Sequence, residues 1–245
     1  MKRILLGLFL LLSLQSIACD ICGCGVGNFY FGLLPNFKAR FIGLRYHYNQ
    51  FYTRLKSDPS QFSHDYFQVV EVWGGMNIGR RLQILGIIPF DFNKQVSDEG
   101  KSTPSGVGDI LAMVNYKVYD GRNANFWVGA GLKVPTGKFD VDPNDPDLAA
   151  AANNQLGSGS VDFLVNGMYN VRIKNWGIAV QALYKINSTN KDEFRFGNKF
   201  TASSFVSYGI KSGSISVRPN AGLLFEHSGA SRLNNENISL TGGNL

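Results

Sequence analysis

From Phe41 onward apolar residues recur at every second position, the period of a β-strand whose two faces meet different surroundings. Nine such segments are predicted. Phe41–Phe51 sets Ile42, Leu44, Tyr46 and Tyr48 against Gly43, Arg45, His47 and Asn49, and Tyr66–Ile78 sets Tyr66, Val70, Val72 and Met76 against Glu71 and Asn77. Leu82–Phe92 sets Leu82, Ile84, Ile88, Phe90 and Phe92 against Arg81, Gln83 and Asp91, with Pro89 tolerable near a strand end. Asp109–Val118 and Phe126–Pro135 follow, the first with Ile110, Ala112, Val114 and Tyr116 against Asp109, Asn115 and Lys117, the second with Val128, Ala130 and Leu132 against Gly129, Gly131 and Lys133. Ser160–Arg172 carries Asp162 and Asn166 on its polar face, and Gly177–Asn187 carries Gln181 and Lys185. Lys199–Ile210 and Ser214–Glu226 close the series, the last with Ala221, Leu223 and Phe225 opposite Arg218, Asn220 and Glu226.

The connections alternate in length. Gly79-Arg80, Asp120-Gly121-Arg122-Asn123, Lys174-Asn175 and Lys211-Ser212-Gly213 are tight and rich in turn formers. Between them lie the longer polar stretches Lys56–Asp65, Lys94–Gly106, Gly137–Gly159 and Ser188–Asn198. A membrane barrel has a reason for this segregation, with tight turns on the periplasmic side and larger loops outside. Strands of this length suit a tilted span of about 9–11 residues, and in lipid every backbone group must pair, so the sheet must close. The fold class predicted is all-β: an antiparallel up-and-down transmembrane β-barrel. Phe51, Tyr52, Phe67, Phe90, Phe92, Tyr116, Tyr119, Phe126, Trp127, Tyr169, Trp176 and Tyr184 gather at strand ends, as an interfacial belt would, although strand ends suit aromatics in any β protein. Nine strands visible is an odd number, whereas bacterial barrels have an even one. The stretch Thr241–Leu245 also lacks a terminal aromatic. The expectation is therefore a barrel domain over 38–245 that is C-terminally incomplete, with about 10–12 strands in the complete protein.

Ahead of the barrel, Lys2-Arg3, the apolar run Ile4–Leu14 and the small residues Ser16 and Ala18 form a secretion signal over 1–18, too short to span a bilayer. The segment 19–37 is rich in Cys and aromatics; Gly27–Phe37 either enters the barrel and narrows it or anchors at the interface. Composition agrees with a barrel. Of 245 residues only 17% are charged, against about 25% in an ordinary soluble domain, and 28 are Gly. The net charge of +6 is not concentrated in any stretch, so no nucleic-acid partner is expected.

The run Ser105-Gly106-Val107-Gly108-Asp109-Ile110, then Tyr116-Lys117, then Gly129-Ala130-Gly131-Leu132-Lys133-Val134-Pro135-Thr136-Gly137, resembles the outer-membrane barrel family named for a meta-pathway of phenol degradation. Gly157-Ser158-Gly159-Ser160 with Asp162-Phe163 is similar to the start of that family's next strand, and Cys19–Gly25 resembles the leaders of Bacteroidetes-type transporter-like barrels. The resemblance covers most of residues 40–226. It implies an even-stranded outer-membrane barrel with a transport role for apolar or aromatic compounds, and supplies no catalytic residues.

Candidate chemistry is sparse. Cys19, Cys22 and Cys24 suit a soft metal such as Cu(I) or Zn(II). They would equally form a disulfide in an oxidising compartment, leaving Cys19 for lipidation, although Ser16 stands where a lipobox wants Leu. The lumen-lining charges expected are Arg45, Glu71, Arg81, Asp109, Lys133, Asp162, Lys185, Arg218 and Glu226, whose mixed signs describe either cross-lumen ion pairs or a polar path. His47, His64 and His227 have no recognisable triad partners, and Asp142, Asp145 and Asp147 lack the Gly and Glu of a calcium loop. Gly106-Val107-Gly108 is no phosphate cradle, because no helix is predicted after it. The first reading is a non-enzymatic outer-membrane channel with a polar lumen, its partners outer-membrane lipid, the barrel-assembly machinery and a small-molecule solute. The alternatives are a structural or binding barrel with an occluded lumen whose N-terminal cysteines bind metal or a partner, and a soluble periplasmic β-sandwich or lipocalin-like binder.

Overall fold

The computed structural model describes residues 40–54, 62–97, 100–142, 148–213, 215–238 and 241–244. Cys19, Cys22, Cys24 and the segment 27–37 lie outside the described residues, as do Asp145 and Asp147. Nine long strands form one antiparallel sheet in chain order: β1 (Phe41–Arg54), β2 (Phe62–Ile78), β3 (Leu82–Ser97), β4 (Ile110–Asp120), β5 (Ala124–Val134), β6 (Asp162–Ile173), β7 (Trp176–Ile186), β8 (Lys199–Tyr208) and β9 (Asn220–Ser228). A two-residue piece, Gly243–Asn244, pairs with the end of β9. The sheet curls into a barrel wall. Among the described residues β1 and, apart from its end paired with Gly243–Asn244, β9 form the two edges and do not pair with each other.

Alternation decides which side of the wall each residue faces. On β3 the burial pattern switches at every residue from Gln83 to Lys94, so that Leu85, Ile87, Asp91 and Asn93 are buried while Ile84, Ile88, Phe90 and Phe92 are exposed. The exposed set continues around the convex face through Val114, Val128, Val165 and Val180 to Leu223. Among the described residues no second layer covers it: Val128 and Val180 are 39% and 47% exposed. The sandwich alternative is thereby excluded, since it needs those side chains buried between two sheets. A continuous belt of this kind is an aggregation hazard in water and suits hydrocarbon.

Several boundaries differ from the sequence expectation. Residues 62–65 and 94–97, expected in connections, are strand, because β2 and β3 continue past the apolar belt, and Gly100–Ser102 and Ser105–Val107 fold back onto β3. Residues with two polar faces carry no apolar period, so periodicity ends where the belt ends. The predicted ninth strand Ser214–Glu226 is interrupted. Ile210–Ser212 and Ile215–Val217 form a separate hairpin tip, and the wall resumes at Asn220 after Pro219, which has no N–H to give the ladder. Phe67 and Trp127, expected in the interfacial belt, are each 4% exposed and lie on the concave face.

The described parts of the stretch 137–159 are no open loop. They carry a helix, α1 (Leu148–Asn153), whose Leu148 and Ala152 pack with Phe139, Phe194 and Phe196 into a second apolar cluster. Phe139 and Phe194 meet at 5.6 Å between ring centroids. Two long connections are thus fused into one cap over the loop end of the wall.

Candidate functional site

The concave face is layered. Read from loop end to turn end, the inward positions run Asp91, Pro89, Ile87, Leu85, Gln83 on β3 and Leu111, Met113, Asn115, Lys117 on β4, the latter preceded by Asp109. On β5 they run Lys133, Gly131, Gly129, Trp127, Asn125; on β6 Asp162, Leu164, Asn166, Met168, Asn170; on β7 Lys185, Leu183, Gln181, Ala179. Each strand is thus charged at the loop end and apolar or glycine just beneath, and polar and apolar side chains mix toward the turn end.

The charged tier centres on Lys133, which is fully buried. Its Nζ lies 2.7 Å from Asp109 Oδ2 and 2.6 Å from Asp162 Oδ2, and donates also to Ser158 Oγ. Asp109 additionally accepts from Gly137 N at 3.0 Å, Ser158 N at 2.8 Å and Ser158 Oγ at 2.9 Å. Asp162 accepts from Ser160 Oγ at 2.7 Å and Ser188 N at 3.0 Å. These bonds pin both ends of the stretch 137–159 inside the mouth. The glycines there permit close approach: a Cβ on Gly157 would stand 2.5 Å from Gly137 O, and one on Gly108 2.2 Å from Asp91 Oδ2. Thr136 Oγ1 accepts from Ile110 N at 3.0 Å and donates to Gly108 O at 2.7 Å. Across the mouth, Asn93 Nδ2 donates to Asn154 O and Gln155 O, both at 3.4 Å. The residues that carry the family resemblance are the ones that build this latch.

A Ser–Lys pair beside an Asp also invites a nucleophilic reading. Ser158 is only 1% exposed and already bonded to Lys133 and Asp109, which leaves no room for an incoming carbonyl.

Below the latch Leu85, Ile87, Leu111, Met113, Trp127, Leu164, Met168 and Leu183 form one buried cluster, with Phe41 and Trp73 against it. This departs from the polar lumen expected from the sequence. Gly129 and Gly131 make room for it and for the layer beneath: a Cβ on Gly131 would lie 2.5 Å from Met113 Cγ, and one on Gly129 1.9 Å from Asn115 Oδ1 and 2.2 Å from Asn166 Oδ1. Asn115 Nδ2 donates to Gln83 Oε1 at 3.4 Å, continuing the polar layer.

At the turn end a cavity of about 670 Å³ opens beneath Trp127. Its rim includes Arg80, Lys117, Arg122, Arg172 and Arg218, with Asp120 as acidic counterpart. Lys117 Nζ stands 4.9 Å from the Trp127 ring centroid and 3.2 Å from Asp120 Oδ2. On the β1–β2 flank, Glu71 Oε2 takes Arg45 Nη2 at 2.6 Å and faces His47 Nε2 at 3.2 Å, with Arg45 stacked 5.3 Å from the Trp73 centroid.

Of the residues anticipated as lumen-lining, Arg45, Glu71, Asp109, Lys133, Asp162 and Lys185 lie on the concave side, and Glu226 pairs there with Lys199 at 3.0 Å. Arg218 is exposed at the turn-end rim. Arg81, in contrast, does not line the lumen: it sits in the turn and donates to Tyr116 OH at 3.3 Å, and Tyr116 belongs to the convex face. A turn residue need not follow the alternation of the strand it precedes. On the cap, the exposed Lys138 hydrogen-bonds Asp140 at 3.0 Å and holds its carboxyl below the usual range. The apolar tier and the Ser158 latch were missed from sequence. Uninterrupted apolar runs, Ile84–Ile88 broken only by Gly86 and Ile110–Val114, were the available sign that two faces are buried there.

An outer membrane channel from Pseudomonas putida F1 has a similar structure, with a TM-score of 0.54 and 18% identity over 80% of this chain and 75% of that one. At that identity the likeness concerns the fold, a β-barrel. No curated protein matches. Residues 59–242, well over half of the sequence, match the family described as "Putative MetA-pathway of phenol degradation", and the chain belongs to that family.

Proposed function

We propose that this protein is an outer-membrane channel whose path runs along the concave face and admits small apolar or aromatic solutes while resisting hydrated ions. The observation that carries the reading is the apolar tier of Leu85, Ile87, Leu111, Met113, Leu164 and Leu183 between two polar tiers. An ion crossing it must leave its water without compensating ligands, and an apolar constriction gates by dewetting. An apolar solute gains there what the ion loses, at about 25 cal/mol per Å² of surface removed from water. The convex belt and the outer-membrane channel with the similar fold support the membrane placement. The basic turn-end cavity would then be the periplasmic vestibule.

The test is uptake of the hydrophobic dye N-phenylnaphthylamine by intact cells whose outer leaflet otherwise slows its entry. Cells displaying the folded protein should take it up several-fold faster than cells without it. Equal rates would instead favour an occluded structural barrel, the reading supported by the fully buried latch at Lys133.

A further inference from the structure

A second cavity, of about 420 Å³, lies at the loop end on the outer side of the wall, where no solute path runs. Its floor is one cross-strand row: Phe200 on β8 is the register partner of both Tyr184 on β7 and His227 on β9. Tyr184 is 43% exposed on the convex face. The wall comes from the cap. Phe194–Arg195 pairs with Arg232–Leu233 so that Phe194 stands opposite Leu233 and Arg195 opposite Arg232. Alternation sends Phe194 into the cap's apolar cluster, and the two arginines together to the other side.

Two like charges directly opposite in a ladder destabilise it. Among the described residues neither guanidinium has a carboxylate partner. Each is held by an asparagine instead: Arg195 Nη2 donates to Asn198 Oδ1 at 3.4 Å and Arg232 Nε to Asn237 Oδ1 at 3.0 Å. Asn198 in turn donates to Tyr184 OH at 3.4 Å, tying wall to floor. The arrangement presents two guanidinium forks, an imidazole and two aromatic rings to a cavity just above a hydrocarbon belt. Planar guanidinium forks match phosphate oxygens in pairs.

We propose that this pocket binds the phosphate of a lipid headgroup in the outer leaflet, its acyl chains running down the convex face past Val180. The anion removes the repulsion between Arg195 and Arg232, and the aromatic row receives the apolar part of the headgroup region. The site shares the membrane placement of the channel reading but none of its residues, so either can fail alone.

The test uses the delipidated full chain in neutral detergent, with lipid retention read by native mass spectrometry and folding by heat-modifiable gel mobility. Phosphatidic acid should be retained at least about tenfold better than phosphatidylcholine, as expected for charge-assisted hydrogen bonds. R195Q/R232Q should lose that preference while K211Q, at the turn end, keeps it. R232E places a carboxylate opposite Arg195: it should raise the unfolding temperature and still abolish the preference, a pair of effects that a merely structural arginine would not give. An unchanged preference in both arginine variants overturns the proposal. Inorganic phosphate at the lipid's concentration should not displace phosphatidic acid; if it does, the site serves a soluble phosphate and the lipid assignment is wrong.

Discussion

The two ends of the concave face use charge in opposite ways. At the loop end Lys133 is fully buried and saturated by Asp109, Asp162 and Ser158, so its charge is spent within a few ångströms. At the turn end Arg80, Arg122, Arg172 and Arg218 stand exposed around an open cavity, and Asp120 is engaged with Lys117. A buried, mutually satisfied cluster fixes geometry; an exposed cluster of one sign sets a potential that a solute can feel. The latch is therefore structural machinery that shapes the mouth, and on the proposed reading the basic cavity is the periplasmic opening, which a molecule taken up from outside reaches last. The apolar tier between them is what makes the two ends different compartments.

Removing one partner of the latch should have the largest effect. K133M leaves Asp109 and Asp162 buried without their cation and should cost about 3–5 kcal/mol in denaturant unfolding followed by tryptophan fluorescence in detergent. A cost under 1 kcal/mol would mean that the mouth is wetter than the burial indicates. Overpacking the tier beneath should come next. G129A drives a Cβ toward Asn115 and Asn166, and the same assay should register about 1–3 kcal/mol. At the other end, R122Q/R172Q should leave stability within about 0.5 kcal/mol of the parent for each substitution, since those side chains are exposed. A loss comparable to that of K133M would erase the distinction between the ends.

The outward face was readable from sequence because lipid imposes one uniform demand: Ile84, Ile88, Val128 and Val180 alternate as predicted and are exposed on the convex side. The inward face answers to several demands at once, and so was read only in part. Asp109, Lys133 and Asp162 were picked out as inward charges, but that they meet at one ammonium depends on strand register and on a stretch, 137–159, that returns to the mouth from outside. Nothing local in Ser158 shows that it bonds a residue 49 positions earlier in the chain. Leu85, Ile87, Leu111 and Met113 were passed over because an alternating template assigns apolar residues outward, and on β3 and β4 both faces are apolar at mid-height. The glycines of the resembling motif told of close approach without telling what approaches. In the structure the answer is Asn115, Asn166 and Met113 for Gly129 and Gly131, and the neck of the cap for Gly137 and Gly157.

The claim that everything else depends on is that an apolar tier interrupts the concave path. Single-channel recording of the full chain in a planar bilayer, alone and as L111N/M113N, tests it most directly. Little or no ion current is expected through the parent protein, and a distinct, stable conductance once two polar side chains wet the tier. A large conductance in the parent, unchanged by L111N/M113N, would contradict it.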